Sequence, residues 1–245
     1  MENTLLISLS HQLASYRSMD VIANNLANMS TPSFKREAVK FEELVVNVPP
    51  AEGEVGMQRI SFVADNGVVR DLNEGRMENT GATFDVAING NGFFAVQTPN
   101  GERYTRNGHF TLDGAGQLVT STGETVMGDG GAITVTAEDG QINISSDGTV
   151  SGRQGQLSKL KLVDFADRRA LVKEGNNLYV TDQQPAAATG YRLAQGTLEA
   201  SNVQPVIEIS KMIDVMRAYQ ATASLTESHE QLLRQAIEKL GATPG

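Results

Sequence analysis

Three histidines, one glycine-rich hexad and a scatter of acidic turns are the residues of this 245-residue chain whose types could do chemistry. His11, His109 and His229 stand far apart, with no metal-ligand spacing between any two of them. Gly90-Asn91-Gly92-Phe93-Phe94-Ala95 matches a dinucleotide-binding loop loosely. That loop works only where a helix follows and turns its N-terminus to the pyrophosphate, and Phe93–Val96 reads as another strand. The Asp-Gly pairs lack the spacing of a calcium-binding EF-hand loop and read as ordinary turns. There is no cysteine, which removes thiolate chemistry and disulfides. The expectation is a protein with no catalytic residue, no metal and no cofactor.

Composition narrows the partners. The formal net charge is -9, whereas a nucleic-acid surface needs a basic patch. Aromatic residues make up 5% of the chain and tryptophan is absent, so no aromatic-rich ligand pocket is advertised. Met1-Glu2-Asn3-Thr4 carries no basic segment and no long apolar one follows, which argues against a cleavable secretory signal. No run approaches a membrane span, so no direct membrane insertion is expected.

The two ends of the chain read as helices. From Leu6 the apolar positions fall at Leu9, Leu13, Tyr16, Met19, Ile22, Leu26 and Met29, in steps of three or four. Asn3 or Thr4 can cap the start, and Pro32 forbids continuation, so a helix is expected over about 4–29. Residues 32–65 read as a short ordered segment and an extended connector broken at Pro49-Pro50. At the other end Asn202 or Gln204 can cap a second long helix, with Pro205 in its first turn. Val206, Ile209, Ile213 and Met216 mark one face, Leu225, Leu232, Leu233, Ile237 and Leu240 continue it, and Gly241 and Pro244 end it.

The middle reads as β. Asn-Gly or Asp-Gly pairs stand at 66, 89, 91, 100, 107, 113, 129, 139 and 147, and such pairs tolerate the positive φ of tight turns. Between them run Phe84–Ile88, Phe93–Val96, Leu118–Thr120 and Ile133–Val135, with further strands expected over 157–165 and 178–180 and a loop over 183–190. The expected fold is α+β. It has 1–65 as N-terminal helix and connector, 66–195 as a central all-β module, and 196–245 as C-terminal helix.

Each terminal helix carries a motif. One is Ala23-Asn24-Asn25-Leu26-Ala27-Asn28, followed by Thr31 and Phe34-Lys35. The other is Gly196-x-Leu198-Glu199-x-Ser201-Asn202-Val203, followed by Arg217-Ala218-Tyr219-Gln220. Between them stand Tyr104-Thr105-Arg106-Asn107-Gly108-x-Phe110 and Gly116-x-Leu118-Val119-x-x-x-Gly123. Taken in this order, over nearly the whole length, they resemble the rod–hook family of bacterial flagellar axial proteins. The start, Met1–Leu6 with Leu9-Ser10-x-Gln12, looks most like the proximal rod member, with the distal rod member as the alternative. Ser33 stands where the family has a glycine able to take positive φ.

The resemblance implies a structural subunit of the rod, assembled with other rod proteins and exported by the flagellar type III apparatus without signal cleavage. It implies that the terminal helices pair as a coiled-coil-like inner layer. The interface and motif positions it marks are Leu9, Leu13, Ile22, Asn24, Asn25, Leu26, Ala27, Asn28, Thr31 and Phe34 at one end. At the other they are Leu198, Glu199, Ser201, Asn202, Val203, Ile209, Ile213, Met216, Arg217 and Tyr219. The rival from another class is a secreted β-domain enzyme or carbohydrate-binding module. It needs convergent polar groups in a concave site, and the motifs supply no nucleophile–base set.

Overall fold

The computed structural model describes residues 2–48 and 58–241. The breaks expected at Pro49-Pro50 and Pro244 lie outside them. Helix α1 is Glu2–Ala27, strand β1 Glu37–Val48, strand β2 Gln58–Arg70, and helix α2 Pro205–Gly241, with short strands and two 3-10 turns over 77–199. The layout is α+β. The chain forms two compact units, one of Met1–Ala27, Glu37–Arg70 and Gln204–Gly245, the other of Asn28–Arg36 and Asp71–Val203.

In the first unit α1 and α2 touch, and α1 also lies on β1 and β2. Helix α1 includes Asn3 and Thr4 rather than starting after them, and it ends five residues before Pro32. The segment read as an extended connector contains β1 and β2, paired antiparallel from Glu37↔Arg70 to Val48↔Gln58. Its apolar residues escaped a strand reading because Glu42-Glu43 and Leu44-Val45-Val46 break the alternation that marks a half-buried strand. Asn66-Gly67 lies inside β2 rather than at a turn. The register shifts opposite it, between Val39 and Phe41, and Gly67 takes φ 83, as a bulge residue does.

The second unit is built on strand 93–98. Its neighbours are 101–105 on one side and 125–128 on the other, and the end near Phe93 also pairs with 162–164. All these pairings are antiparallel. Successive side chains of a strand point to opposite faces, so a run apolar at every position is buried on both. Phe94 and Val96 enter one cluster with Val86, Ile88, Phe110 and Val126. Phe93 and Ala95 enter another with Tyr104, Phe165 and Tyr179. The Phe93 ring meets Tyr179 edge-on at 5.8 Å, and Phe94 meets Phe110 likewise at 5.1 Å.

The turn dipeptides of this unit mostly lie where expected. Asn100 closes the 93–98/101–105 hairpin, Asp129-Gly130 joins 125–128 to 131–132, Asp113-Gly114 lies between 110–112 and 118–120, and Asp147-Gly148 between 143–144 and 149–152. Asp139 instead ends a 3-10 turn. Ile133–Val135, expected as a strand, makes an isolated bridge at Gln117↔Thr134.

Gly108 is required for closeness. A Cβ there would stand 1.7 Å from the Val86 carbonyl oxygen, and the Gly108 carbonyl accepts from Val86 N at 3.0 Å. Gly108→Ala therefore forces two packed backbones apart. The expected cost is about 1–3 kcal/mol or more, as for other overpacked sites. Urea unfolding of the full chain should show a lower midpoint with an unchanged slope.

Candidate functional site

The motif residues converge on two buried polar clusters, one in each unit. The first ties the roots of the terminal helices. Asn25, three residues after Ile22 on the inward face of α1, is fully buried. Its Nδ2 donates to the Glu37 carbonyl at 2.7 Å and to Glu208 Oε2 at 3.0 Å, while its Oδ1 accepts from Glu37 N at 2.9 Å. One amide thus saturates the backbone at the start of β1 and reaches the first turn of α2. Glu208 is also buried, and Lys211 Nζ donates to its Oε1 at 3.3 Å. A carboxylate in a first turn is favoured by the positive end of the helix dipole.

The second cluster centres on Glu199, which strand 197–199 carries into the second unit. Its Oε1 accepts from Lys35 Nζ at 2.5 Å and from Gly75 N at 2.9 Å, and its Oε2 accepts from Arg106 Nε at 2.9 Å. Arg106 spends its other donors on backbone: Nη1 on the Gly90 and Gly92 carbonyls and Nη2 on Ile88, all at 3.1 Å. Lys35 Nζ also donates to the Asn73 carbonyl at 2.7 Å. Glu74 approaches Arg106 at 3.6 Å from a half-exposed position. Two cations and two carboxylates leave the cluster neutral.

These contacts set the acidities. Burial pushes the Glu199 carboxyl upward, but Arg106, Lys35 and the Gly75 amide outweigh it and hold the group below the ordinary carboxylate range. Burial pulls the Lys35 ammonium below its ordinary value. Glu199 opposes that, but the like charge of Arg106 adds a further downward push.

The turn after α1 locks onto this cluster. Ser33 N donates to the Glu199 carbonyl at 2.7 Å, and Ser33 Oγ to the Arg106 carbonyl at 2.8 Å. Ser33 takes φ 56, the left-handed region expected of a glycine at this position. Phe34 is buried, with Lys173 Nζ 4.1 Å above its ring. Asn202, expected as a helix cap, clamps instead: Oδ1 accepts from Arg36 N at 2.7 Å and Nδ2 donates to the Asp71 and Asn73 carbonyls. Gln204 is the cap, its carbonyl accepting from Ile207 and Glu208.

The other marked positions divide by exposure. Ile22 and Val203 are buried, and Leu26, Asn28, Thr31, Leu198 and Ser201 partly so, while Asn24 and Ala27 are exposed. Thr31 Oγ1 donates to Asn28 Oδ1, and Ser201 Oγ accepts from Val203 N. Along α2 the less exposed positions are Glu208, Lys211, Met212, Val215, Thr222, Ala223, Thr226, His229 and Leu233, a helical period that mixes polar and apolar residues. The apolar stripe faces outward: Ile209, Ile213 and Met216 are about 45% exposed, and Leu225 is 68% exposed. Arg217 and Tyr219 are exposed as well. On α1, Leu6, Leu9, Leu13 and Tyr16 are all more than half exposed.

Sequence reasoning missed Glu37 and Glu208, and it quoted Lys35 and Arg106 without a role. Asn25 carried a usable signal, as a polar residue on an apolar stripe. Glu208 carried a weaker one, sitting off the stripe that Ile209 and Ile213 define. His11, His109 and His229 do not converge, and among the described residues no group of histidine, aspartate and glutamate could hold a metal ion. No described helix is long and apolar enough to cross a membrane.

The sequence has relatives among known proteins. The family model for the flagellar hook protein FlgE/F/G D1 domain matches residues 87–152, that for the flagellar basal body rod FlgEFG protein C-terminal region matches 194–239, and that for flagella basal body rod proteins matches 13–35. The chain is 42% identical to the flagellar basal-body rod protein FlgF of Caulobacter vibrioides, over 98% of this chain and 99% of that one. It is 32% identical to FlgF of Mesorhizobium japonicum over 99% of both. It is 36% identical to the rod protein FlgG of Buchnera aphidicola, over 89% of this chain and 92% of that one.

Two outcomes test the Glu199 cluster. Glu199→Gln leaves Lys35 and Arg106 buried without their anion and is expected to cost about 3–5 kcal/mol. A carboxylate whose folded pKa is depressed contributes stability above the unfolded pKa and loses it as pH falls through the folded one. The gap between wild type and Glu199→Gln should therefore be full at neutral pH and close below the ordinary carboxylate range, as read by chemical unfolding at a series of pH values. At Ser33, alanine loses the hydroxyl bond and keeps the left-handed strain, for about 1–3 kcal/mol. Glycine loses the same bond but sheds strain of about 1–2 kcal/mol. Ser33→Gly should thus melt above Ser33→Ala by calorimetry.

Proposed function

The chain belongs to the flagellar basal-body rod protein family that FlgF represents, and we propose that it serves as a proximal-rod subunit that transmits torque by packing against related axial proteins. The role is structural rather than enzymatic, and the family works in the flagellar basal body. Assembly with other rod and hook proteins follows from membership. The FlgF relatives align over almost the full length of both chains, and FlgG relatives over less, which favours a proximal over a distal place.

The observation that carries the mechanism is the outward apolar stripe of the terminal helices. A surface helix of a globular protein turns its apolar face to the core. Here α2 turns a mixed face inward, Glu208, Thr222, Thr226 and His229 with Met212, Val215 and Leu233, and leaves a second apolar row, Ile209, Ile213, Met216 and Leu225, out. Contiguous exposed apolar surface of this kind marks a protein–protein contact. The proposed subunit seam is Leu9, Leu13, Ile209, Ile213, Met216 and Tyr219, with the two helices forming a coiled-coil-like bundle with their neighbours. The remaining motif positions, from Ile22 to Phe34 and from Leu198 to Val203, serve that seam by fixing the helix roots. Residues 1–65 and 196–245 act as the inner rod domain and 66–195 as the β-rich module. The compact unit of α1, the β1–β2 pair and α2 supports the broad outline of that division, although 28–36 and 196–203 pack with the β-rich unit and 66–70 with the helices. Export by the flagellar type III apparatus, without a cleaved signal and without membrane insertion, belongs to the same reading.

Subunits of a shaft make heterologous contacts, which extend rather than close. A single charge on the seam should therefore stop growth without unfolding the subunit. Ile213 is exposed in the single chain, so Ile213→Asp is expected to change its unfolding free energy by no more than about 0.5 kcal/mol. In the assembled rod it would bury an unpaired charge, costing about 3–5 kcal/mol at each contact. The expected outcome is a stable, exported subunit in non-motile cells without completed rods. Normal swimming of Ile213→Asp would show that this stripe faces no neighbour.

A further inference from the structure

The β-rich unit carries a groove of about 620 Å³ whose lining holds no charged and no aromatic side chain. Asn79, Thr83, Gln141 and Asn143 stand along it, all exposed, and none of their side chains has a hydrogen-bond partner among the described residues. Gln195 fixes the floor. Its Oε1 accepts from Ile144 N at 3.1 Å, and its Nε2 donates to the Thr83 and Ile142 carbonyls at 2.9 and 3.1 Å. One amide therefore ties both walls, and the groove stands formed before anything enters it. Three primary amides and a hydroxyl, each able to donate and to accept, suit the N–H and C=O groups of an extended peptide. With nothing to neutralise an ion, the lining selects an uncharged one.

The same chain offers such a segment. Residues 183–190, Gln183-Gln184-Pro185-Ala186-Ala187-Ala188-Thr189-Gly190, carry no charge. Ala186–Ala187 pairs with strand 162–164 on one edge, and its other edge is unpaired among the described residues, open to a further strand. The Gln184 and Thr189 side chains are exposed and have no hydrogen-bond partner among the described residues. Alanine side chains are short enough for the groove amides to reach the backbone behind them. Segment and groove lie toward opposite ends of strand 192–195. Ile144 meets Gln195 at the groove end, whereas Leu193 N donates to the Ser146 carbonyl and Tyr191 Oη to that of Asp147 toward the other. The neighbouring strand agrees, with Val86 opposite Gln195 and Asn89 opposite Arg192. While it stays paired to 162–164, the segment does not reach the groove of its own chain.

We propose that the 183–190 segment of one copy of this chain docks in the groove between 79–83 and 141–143 of the next copy, a head-to-tail contact between β-rich units that acts beside the helix seam. The contact rests on the reading of the chain as a rod subunit. It joins two different patches, so it extends from copy to copy rather than closing on itself, as a shaft requires.

The chain has no cysteine, so an introduced thiol is unique. The test expresses Asn143→Cys and Ala187→Cys, as full chains with different tags, together in cells lacking the unmodified chain, and treats their isolated basal bodies with a short bismaleimide. Both positions are exposed, so each variant should fold as the parent does. The expected product is a dimer joining one variant to the other, with none from either variant expressed alone. Adding Asn79→Asp and Gln141→Glu to the Asn143→Cys chain should cut that dimer at least about tenfold, since carboxylates set against an uncharged strand lose water without gaining a partner. The contact is overturned by basal bodies that hold both variants without the mixed dimer, by equal yields from the mixture and from either variant alone, or by a yield that the two acidic substitutions leave unchanged. Absence of the chain from basal bodies would overturn the rod reading and the contact with it.

Discussion

A single buried carboxylate, that of Glu199, organises the junction of the β-rich unit. Taking an ion out of water costs several kcal/mol, and partial pairing does not recover it. Glu199 is therefore tolerable only if Lys35, Arg106 and the Gly75 amide all arrive together. Lys35 comes from just after α1, Arg106 from the end of a central hairpin, Gly75 from the segment after β2, and Glu199 from just before α2. The four stretches are far apart in sequence, and one oxygen pair makes their positions interdependent. Arg106 extends this to the carbonyls of Ile88, Gly90 and Gly92, because a guanidinium presents five donors in a fixed fork. A purely apolar core at the same place would tolerate sliding. A charged one has a single geometry in which every group is satisfied.

The clamp at the helix roots works on the same principle with neutral chemistry. Asn25 offers a donor pair and an acceptor, and it spends them on both backbone groups of Glu37 and on the Glu208 carboxylate. That allocation frees the rest of each helix from a structural duty it would otherwise need its apolar residues for. Helix α2 can face its own unit with a mixed set, Glu208 and Thr222 beside Met212 and Val215, and keep Ile209, Ile213 and Met216 outside. A subunit of a polymer has to solve this problem, since residues spent on its own core cannot be offered to a neighbour.

Much of this was legible beforehand, for reasons that lie in particular residues. The two long helices follow from three- and four-residue steps that Pro32 and Pro205 bound. The doubly buried strand 93–98 follows from Phe93-Phe94-Ala95-Val96, and the hairpins follow from asparagine or aspartate before glycine. The β1–β2 pair was not legible, because Glu42-Glu43 and Leu44-Val45-Val46 obscure any alternation and its partner strand carries an internal Asn66-Gly67. Of the candidate site, Asn25, Phe34, Glu199 and Asn202 could be marked through the motifs, yet their work could not. Asn202 looks like a cap in sequence, and only the fold brings Arg36 N and the Asp71 carbonyl within its reach. Ion-pair partners such as Lys35 and Arg106, 71 residues apart by their numbers, have no local signature at all.

Ser33 shows how such a network reshapes a local rule. The position requires φ 56, which a glycine adopts at little cost and an L-residue does not. In isolation the substitution would be unfavourable. Its hydroxyl, however, reaches the carbonyl of Arg106, the same residue whose side chain grips Glu199, while its amide reaches the carbonyl of Glu199 itself. The strain is thus offset by a bond that glycine cannot make, and that bond lands on the two residues whose placement matters most. Side chain and backbone of Ser33 thus fasten this segment to the buried Lys35–Glu199–Arg106 triad from two directions.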